Sequence, residues 1–354
     1  MRAIFLSERG LMPIVNRKSV QGERLMKVIK VLRRIGLLAF AGSLINGAWS
    51  AAAQSNASEF MRGEGMPYNA FDKLPKTDVA LNDATLHVGF APGELALPRA
   101  TVLAWIAHSA KAVSLYYGHF PVASARILIV PVDGKGVRGG TTWAYRGAAI
   151  RIVLGRDSSE DDLKRDWMLV HEMVHLALPD VGEQHRWLSE GLATYVEPIA
   201  RAQAGDLSTA SIWGAMLRDM QKGLPQAGDR GLDNTHSWGR TYWGGAMFCL
   251  LADIEIRKQS GNRLGLQDAL RGVLAAGGSH ESDWPIERVL ATADKATGLT
   301  VLTDLYAKMS RQPITPNLDG LWRNLGIKLV ADQVTFDDSQ PLAQTRKALT
   351  EVRP

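Results

Sequence analysis

Beyond residue 84 the chain alternates between two hydrophobic periods. "TLHVGF" (85–90) reads as a strand, "PRATVLAWIAHSAKAVSLYYGHF" (98–120) spaces its apolar residues as a helix, and "ARILIVPV" (125–132) is a mostly apolar strand. "TTWAYR" (141–146) and "AAIRIVLG" (148–155) are expected to pair as a hairpin about Arg146 and Gly147. After Gly155 the period turns helical, over about 160–178, 187–202, 209–221, 238–259, 264–276, 284–296 and 299–310. "GIKLV" and "QVTF" near the end read as a short terminal hairpin. Strands first and helices second is α+β order: a small mixed sheet followed by a mostly helical half. No internal repeat or low-complexity tract interrupts it.

The first residues follow a different logic. "VIKVLRRIGLLAFAGSLINGAWSAAAQS" carries a basic stretch, an apolar run from Ile35 to Trp49 and small residues at Ala51, Ala52 and Ala53, the order of a secretory signal. Residues 1–53 are therefore expected to be removed by cleavage near Ala53, leaving no stable membrane anchor; Met26 begins a leader of conventional length and is the alternative start. Residues 54–84 show no sustained period and read as a linker or draped arm, residues 85–310 as the catalytic domain and 311–354 as a C-terminal extension. Export changes the charge argument. The chain's formal +5 includes a leader of nine Lys/Arg and two Asp/Glu, so the mature protein stands near −2 and nothing points to nucleic acid. With Cys249 as the one cysteine, no internal disulfide forms.

Candidate chemistry lies in "SSEDDLKRDWMLVHEMVHLALPD" (158–180). Ser158 or Ser159 is placed to cap a helix, Glu160, Asp161 and Asp162 suit its positive end, and Pro179 closes it. On that continuous helix His171 and His175 share a face one turn apart, so both imidazoles can reach one ion, while Glu172 lies about 100° further round. A carboxylate there can take a proton from water beside the ion and deliver it to a leaving group, which makes Glu172 the expected general base. The bland alternative is a pair of hydrogen-bonded core histidines.

A catalytic zinc needs a third protein ligand. "HRWLSEGLATYVEPIA" (185–200) provides Glu190 inside an otherwise apolar helical face, where a buried carboxylate wants a cation. Thr194 and Glu197, one and two turns further on, are candidate partners for the histidines; Tyr195 is assigned to the core, and His185 and His236 to loops.

With "HEMVH" and "WLSEGLATYVE" the sequence resembles the gluzincin metallopeptidases, especially the catalytic domains of the aminopeptidase N and glycyl aminopeptidase families, which share a thermolysin-like fold. The resemblance implies one zinc ion per chain held by His171, His175 and Glu190, with Glu172 as base. "TYWGGAMFCLLADIEIRK" resembles the helix that begins Tyr-x-Lys-Gly in those families, which implies an oxyanion-stabilising role for Tyr242. Likeness extends over about residues 139–310. Three departures stand out. Only 14 residues, 176–189, separate His175 from Glu190; Gly244 replaces the lysine; and "VRGGTTWAYRG" lacks the glutamate with which aminopeptidases hold a substrate's free amine.

The expectation is an exported, periplasmic or secreted, zinc-dependent metallohydrolase cutting peptide or protein substrates. Two alternatives stay open: a zincin-fold binding or scaffold protein without turnover, and a zinc hydrolase of non-peptide substrates.

Overall fold

The computed structural model describes residues 59–61, 65–331 and 333–352; the expected signal segment lies outside them. Helix α1 (Tyr68–Asp72) and strand β1 (Lys76–Ala80) precede β2 (Thr85–Phe90), α2 (Arg99–Tyr117), β3 (Ser124–Val132), β4 (Val137–Trp143) and β5 (Ala149–Gly155). The five strands form one sheet in the order β1-β2-β3-β5-β4. β2, β3 and β5 are parallel, while β1 and β4 run antiparallel to their neighbours at the two ends. The hairpin read about Gly147 is thus β4–β5, and it leaves β4 at the sheet's edge. Gly147 supplies the left-handed turn, with φ 87°.

Period-2 alternation divides the central strand between two cores. Ile127 and Ile129 of β3 join the large core beneath the helices, whereas Leu128 and Val130 join Phe60, Met66, Tyr68 and Phe71 on the opposite face. The 54–84 segment is therefore no mere linker over its described part. Its aromatic residues cover the sheet, Phe71 is fully buried, and the Tyr68 hydroxyl donates to the Gly147 carbonyl at 2.8 Å. Strand β1 escapes sequence reading because it buries almost nothing: "KTDVA" is exposed nearly throughout, and only its ladder with β2 defines it.

The helical half contains α3 (Glu160–Lys164), α4 (Met168–His175), α5 (Arg186–Gln203), α6 (Thr209–Asp219), α7 (Gly245–Ser260), α8 (Leu266–Ala275), α9 (Ile286–Thr297) and α10 (Val301–Met309). The expected continuous helix over 160–178 is corrected to two short ones. Ser159 caps α3 in a capping box with Asp162, as its sequence suggested. The chain then breaks, because the Asp166 carboxylate accepts from the Met168 and Leu169 N–H groups at 3.1 and 3.0 Å and starts α4 anew. α4 ends at His175, four residues before Pro179. α2 packs across α4 and α5, and α4 also touches β4 at the sheet's edge. Beyond α10, α11 (Leu318–Asn324), the β6–β7 hairpin (Ile327–Val330, Gln333–Phe336) and α12 (Ala343–Thr350) follow, with α12 against α5 and α7.

Candidate metal centre

His171 and His175 project from one face of α4 toward the second turn of α5, which carries Glu190. Among the described residues these three form a group whose possible ligand atoms all lie within 4.8 Å of one another. Glu190 Oε2 is 3.4 Å from His171 Nε2 and 3.5 Å from His175 Nε2. Zinc held tetrahedrally at about 2.0–2.1 Å separates its ligands by roughly 3.3–3.4 Å, so the donor set has the right size as well as the right chemistry.

The surroundings fix these donors in place. Nδ1 of His175 is 2.9 Å from Ser189 Oγ, which leaves Nε2 facing the cluster. Glu190 turns its other oxygen to Arg186, whose Nε and Nη2 donate to Oε1 at 3.3 and 3.2 Å. Although burial opposes the charge, His171 and His175 hold the Glu190 carboxyl well below the usual carboxylate range. Burial likewise penalises a charged His175, but Glu190 and Glu172 outweigh it and raise its pKa.

Glu172 is buried beside the cluster and leans on β4. Its Oε2 lies 2.7 Å from Thr142 Oγ1. Gly140 makes room for it: a Cβ there would stand 2.6 Å from Glu172 Cγ. From the other side comes Tyr242, in a π-helical turn, Arg240–Gly244, that leads into α7. The Tyr242 ring stacks on His171 at 6.5 Å, and its hydroxyl is buried with no hydrogen-bond partner among the described residues. The Arg240–Asp229 ion pair, 2.8 Å and almost fully buried, anchors this turn. At Gly244, where the resembled families carry lysine, a Cβ would stand 3.1 Å from Arg240 Nη1 and from Leu232 Cδ2, so a side chain there would have to displace both. The turn sits close to the ligand helix through a contact of two backbones, since a Cβ on Gly191 would stand 2.2 Å from the Gly245 carbonyl carbon.

Other sequence candidates lie elsewhere. Thr194 donates to its own helix, to the Glu190 carbonyl at 2.7 Å, and Glu197 pairs with Arg201 at 2.9 Å, so neither supports a histidine. Burial pushes Glu197 up to about 7 and Asp166, nearby, up to about 6. Tyr195 is a core residue whose hydroxyl reaches Asp253. His236 is an exposed loop residue, whereas His185 is tied to Asp233, a buried carboxylate that also accepts from Trp187 Nε1 and the Tyr306 hydroxyl. The sequence reading missed Thr142, Arg186 and Ser189, and also Trp167, Asp180, Glu183 and His280, which line the same cleft. Of these, Arg186 left a readable trace, four residues before Glu190 on one helix.

The cleft encloses about 330 Å³ between the β4 edge and α4 and α5. No family model matches this chain, and no curated protein does. Solved structures do. An aminopeptidase N family protein from Idiomarina loihiensis superposes with a TM-score of 0.55 at 16% identity, over 72% of this chain and 49% of the other. An M1 zinc metallopeptidase from Deinococcus radiodurans, also determined as a mutant bound to a Tyr-Ser-Ala substrate, aligns at 17% identity over 69% of this chain and 53% of that one, with a TM-score of 0.45. The chain thus spans about half the length of these structures. The first superposition shows that this chain shares the α+β fold of that aminopeptidase N family structure.

Proposed function

We propose that this chain is an exported zinc-dependent metallohydrolase that cleaves peptide bonds. The observation that carries the reading is the convergence of two imidazoles and a carboxylate at zinc-sized separations, with a further buried carboxylate beside them. His171, His175 and Glu190 would hold one zinc ion per chain. When bound, zinc supplies Lewis-acid polarisation of a carbonyl and lowers the pKa of water. Glu172 accepts the proton of the attacking water and returns it to the leaving amine. Tyr242, whose ring stacks on His171 and whose hydroxyl stands near Glu190, donates to the oxygen on which negative charge develops. The outer edge of β4 offers main-chain groups to an extended peptide laid alongside it.

Cleavage at internal bonds is the expected mode. No acid stands in Gly139–Trp143 to hold a substrate ammonium, and Glu197 and Asp233 are committed to other partners. Of the four acids that line the cleft, Glu172 and Glu190 belong to the proposed base and ligand set, Asp180 accepts from the Gly182 N–H at 2.8 Å, and Glu183 pairs with Arg186 at 3.5 Å. The leader expected over residues 1–53 supports export to the periplasm or the medium.

Metal analysis of the mature protein, followed by mass spectrometry of paired free and N-acetylated peptides, tests the proposal. One zinc per chain and internal cuts in both sets, abolished in Glu172→Gln, are expected. A protein without zinc, or a zinc protein that leaves every peptide intact, would overturn peptidase action. Release of single N-terminal residues from free peptides alone would overturn the endo reading.

A further inference from the structure

Glutamate reaches its carboxylate through three rotatable bonds, and a base misplaced by about 1 Å can cost on the order of 100-fold in rate. Something must hold Glu172 still. Both restraints come from β4, a strand that no zinc-binding pattern would single out. On one side the bare Cα of Gly140 lets the side chain lie against the strand; a Cβ there would stand 2.6 Å from Cγ, 2.8 Å from Oε1 and 3.0 Å from Cδ. On the other, Thr142 Oγ1 lies 2.7 Å from Oε2 and 2.8 Å from the Glu172 main-chain carbonyl oxygen. Thr142 is itself buried, and the β4–β5 ladder fixes its backbone opposite Ile150.

We propose that Thr142 is the positioning residue of the general base, with Gly140 reserving the space into which Thr142 holds it. The inference rests on the peptidase reading of the same site. A hydroxyl suits the task because it has one hydrogen and two acceptors within reach. Pointed at Oε2, it donates to the carboxylate. Shared with the main-chain carbonyl 2.8 Å away, it ties the side chain to its own backbone. Thr141 cannot substitute, since period-2 alternation points it to the other face, where its hydroxyl donates to the Gly140 carbonyl at 2.7 Å.

Thr142→Val keeps the side-chain shape and deletes the hydroxyl; Thr142→Ser keeps the hydroxyl. Zinc-loaded T142V should retain one zinc per chain and a KM within about 3-fold of wild type, while kcat falls on the order of 10- to 100-fold. T142S should recover most of that loss. Crystal structures of the metal-free proteins give a readout independent of turnover: the Glu172 carboxyl should leave its place beside Gly140 in T142V and keep it in T142S. If T142V does not fold, Thr142→Ala carries the same comparison. An unchanged kcat, a T142S as slow as T142V, or a Glu172 that stays in place without the hydroxyl would overturn the proposal. Failure of wild type to cut any peptide would sink the peptidase reading instead, and the Glu172 orientation would still decide the role of Thr142.

Discussion

Replacing Gly191 by alanine probes how tightly the helix that carries the candidate ligand Glu190 is set. The new methyl carbon would lie 2.2 Å from the Gly245 carbonyl carbon, 2.3 Å from its Cα and 2.6 Å from the Ala246 nitrogen, where ordinary contact begins at 3.4 Å. All three obstacles are backbone, so no side chain can swing away, and α5 and α7 must part by about 1 Å. Overpacking of this kind costs roughly 1–3 kcal/mol, and the upper end applies to a rigid neighbour. Alanine returns about 0.5–1 kcal/mol of helix propensity, leaving a net loss near 2 kcal/mol. At about 2–4 °C per kcal/mol for a large domain, the melting temperature should fall by roughly 4–8 °C. Because Glu190 is the adjacent residue, the separations of 3.4 and 3.5 Å to the histidines should open and zinc affinity should drop. Differential scanning fluorimetry with and without zinc, paired with chelator competition, reads both effects. A G191A protein that melts within 1 °C of wild type and competes equally for zinc would refute the argument from backbone contact.

Three further outcomes are expected. His171→Ala, His175→Ala and Glu190→Ala should each lose the metal, measured by emission spectrometry after dialysis; stoichiometric zinc in any of them would remove that residue from the ligand set. Tyr242→Phe should bind zinc normally yet raise the barrier by roughly 2–4 kcal/mol, seen in kcat on a cleaved peptide, and an unchanged rate would leave Tyr242 as packing. Glu197 has its pKa raised from the usual 4.5 to about 7 by burial, so its contribution favours the folded state below pH 4.5 and is lost as pH rises through 7. The stability of wild type relative to Glu197→Gln should therefore decline across that window by up to about 3 kcal/mol, measured by urea titration at a series of pH values; a pH-independent difference would contradict the shift.

What could be read from the chain beforehand divides along a physical line. The convergence of His171, His175 and Glu190 was legible because helical spacing alone puts two donors on one face, and an acid inside an apolar stripe announces that it needs a partner. The β4–β5 hairpin was legible from its turn at Gly147, and the helical half from its 3.6-residue period. Features that depend on tertiary contact left less trace. The restart of the helix at Asp166 hid behind an unbroken apolar period, and β1 hid because an edge strand with exposed side chains has no pattern to show. Thr142 and Ser189 carry no signal of their own; each matters only through the atom that the fold brings beside it. The aromatic residues of the 54–84 segment were visible, but the sheet face that they cover was not.

The connection between α4 and α5 is stitched to a segment a hundred residues later: the Asp180 N–H donates to the Ser282 carbonyl, the Trp284 N–H to the Asp180 carbonyl, and the His280 N–H to the Leu176 carbonyl. The stitch makes the wall of the cleft a long-range structure: the stretch between His175 and Glu190 is held by residues 280–284, and the Tyr306 hydroxyl, donating to Asp233, helps to secure the start of α5. A chain ending before residue 280 would carry all three candidate ligands and Glu172, yet lack the backbone that braces the wall between them.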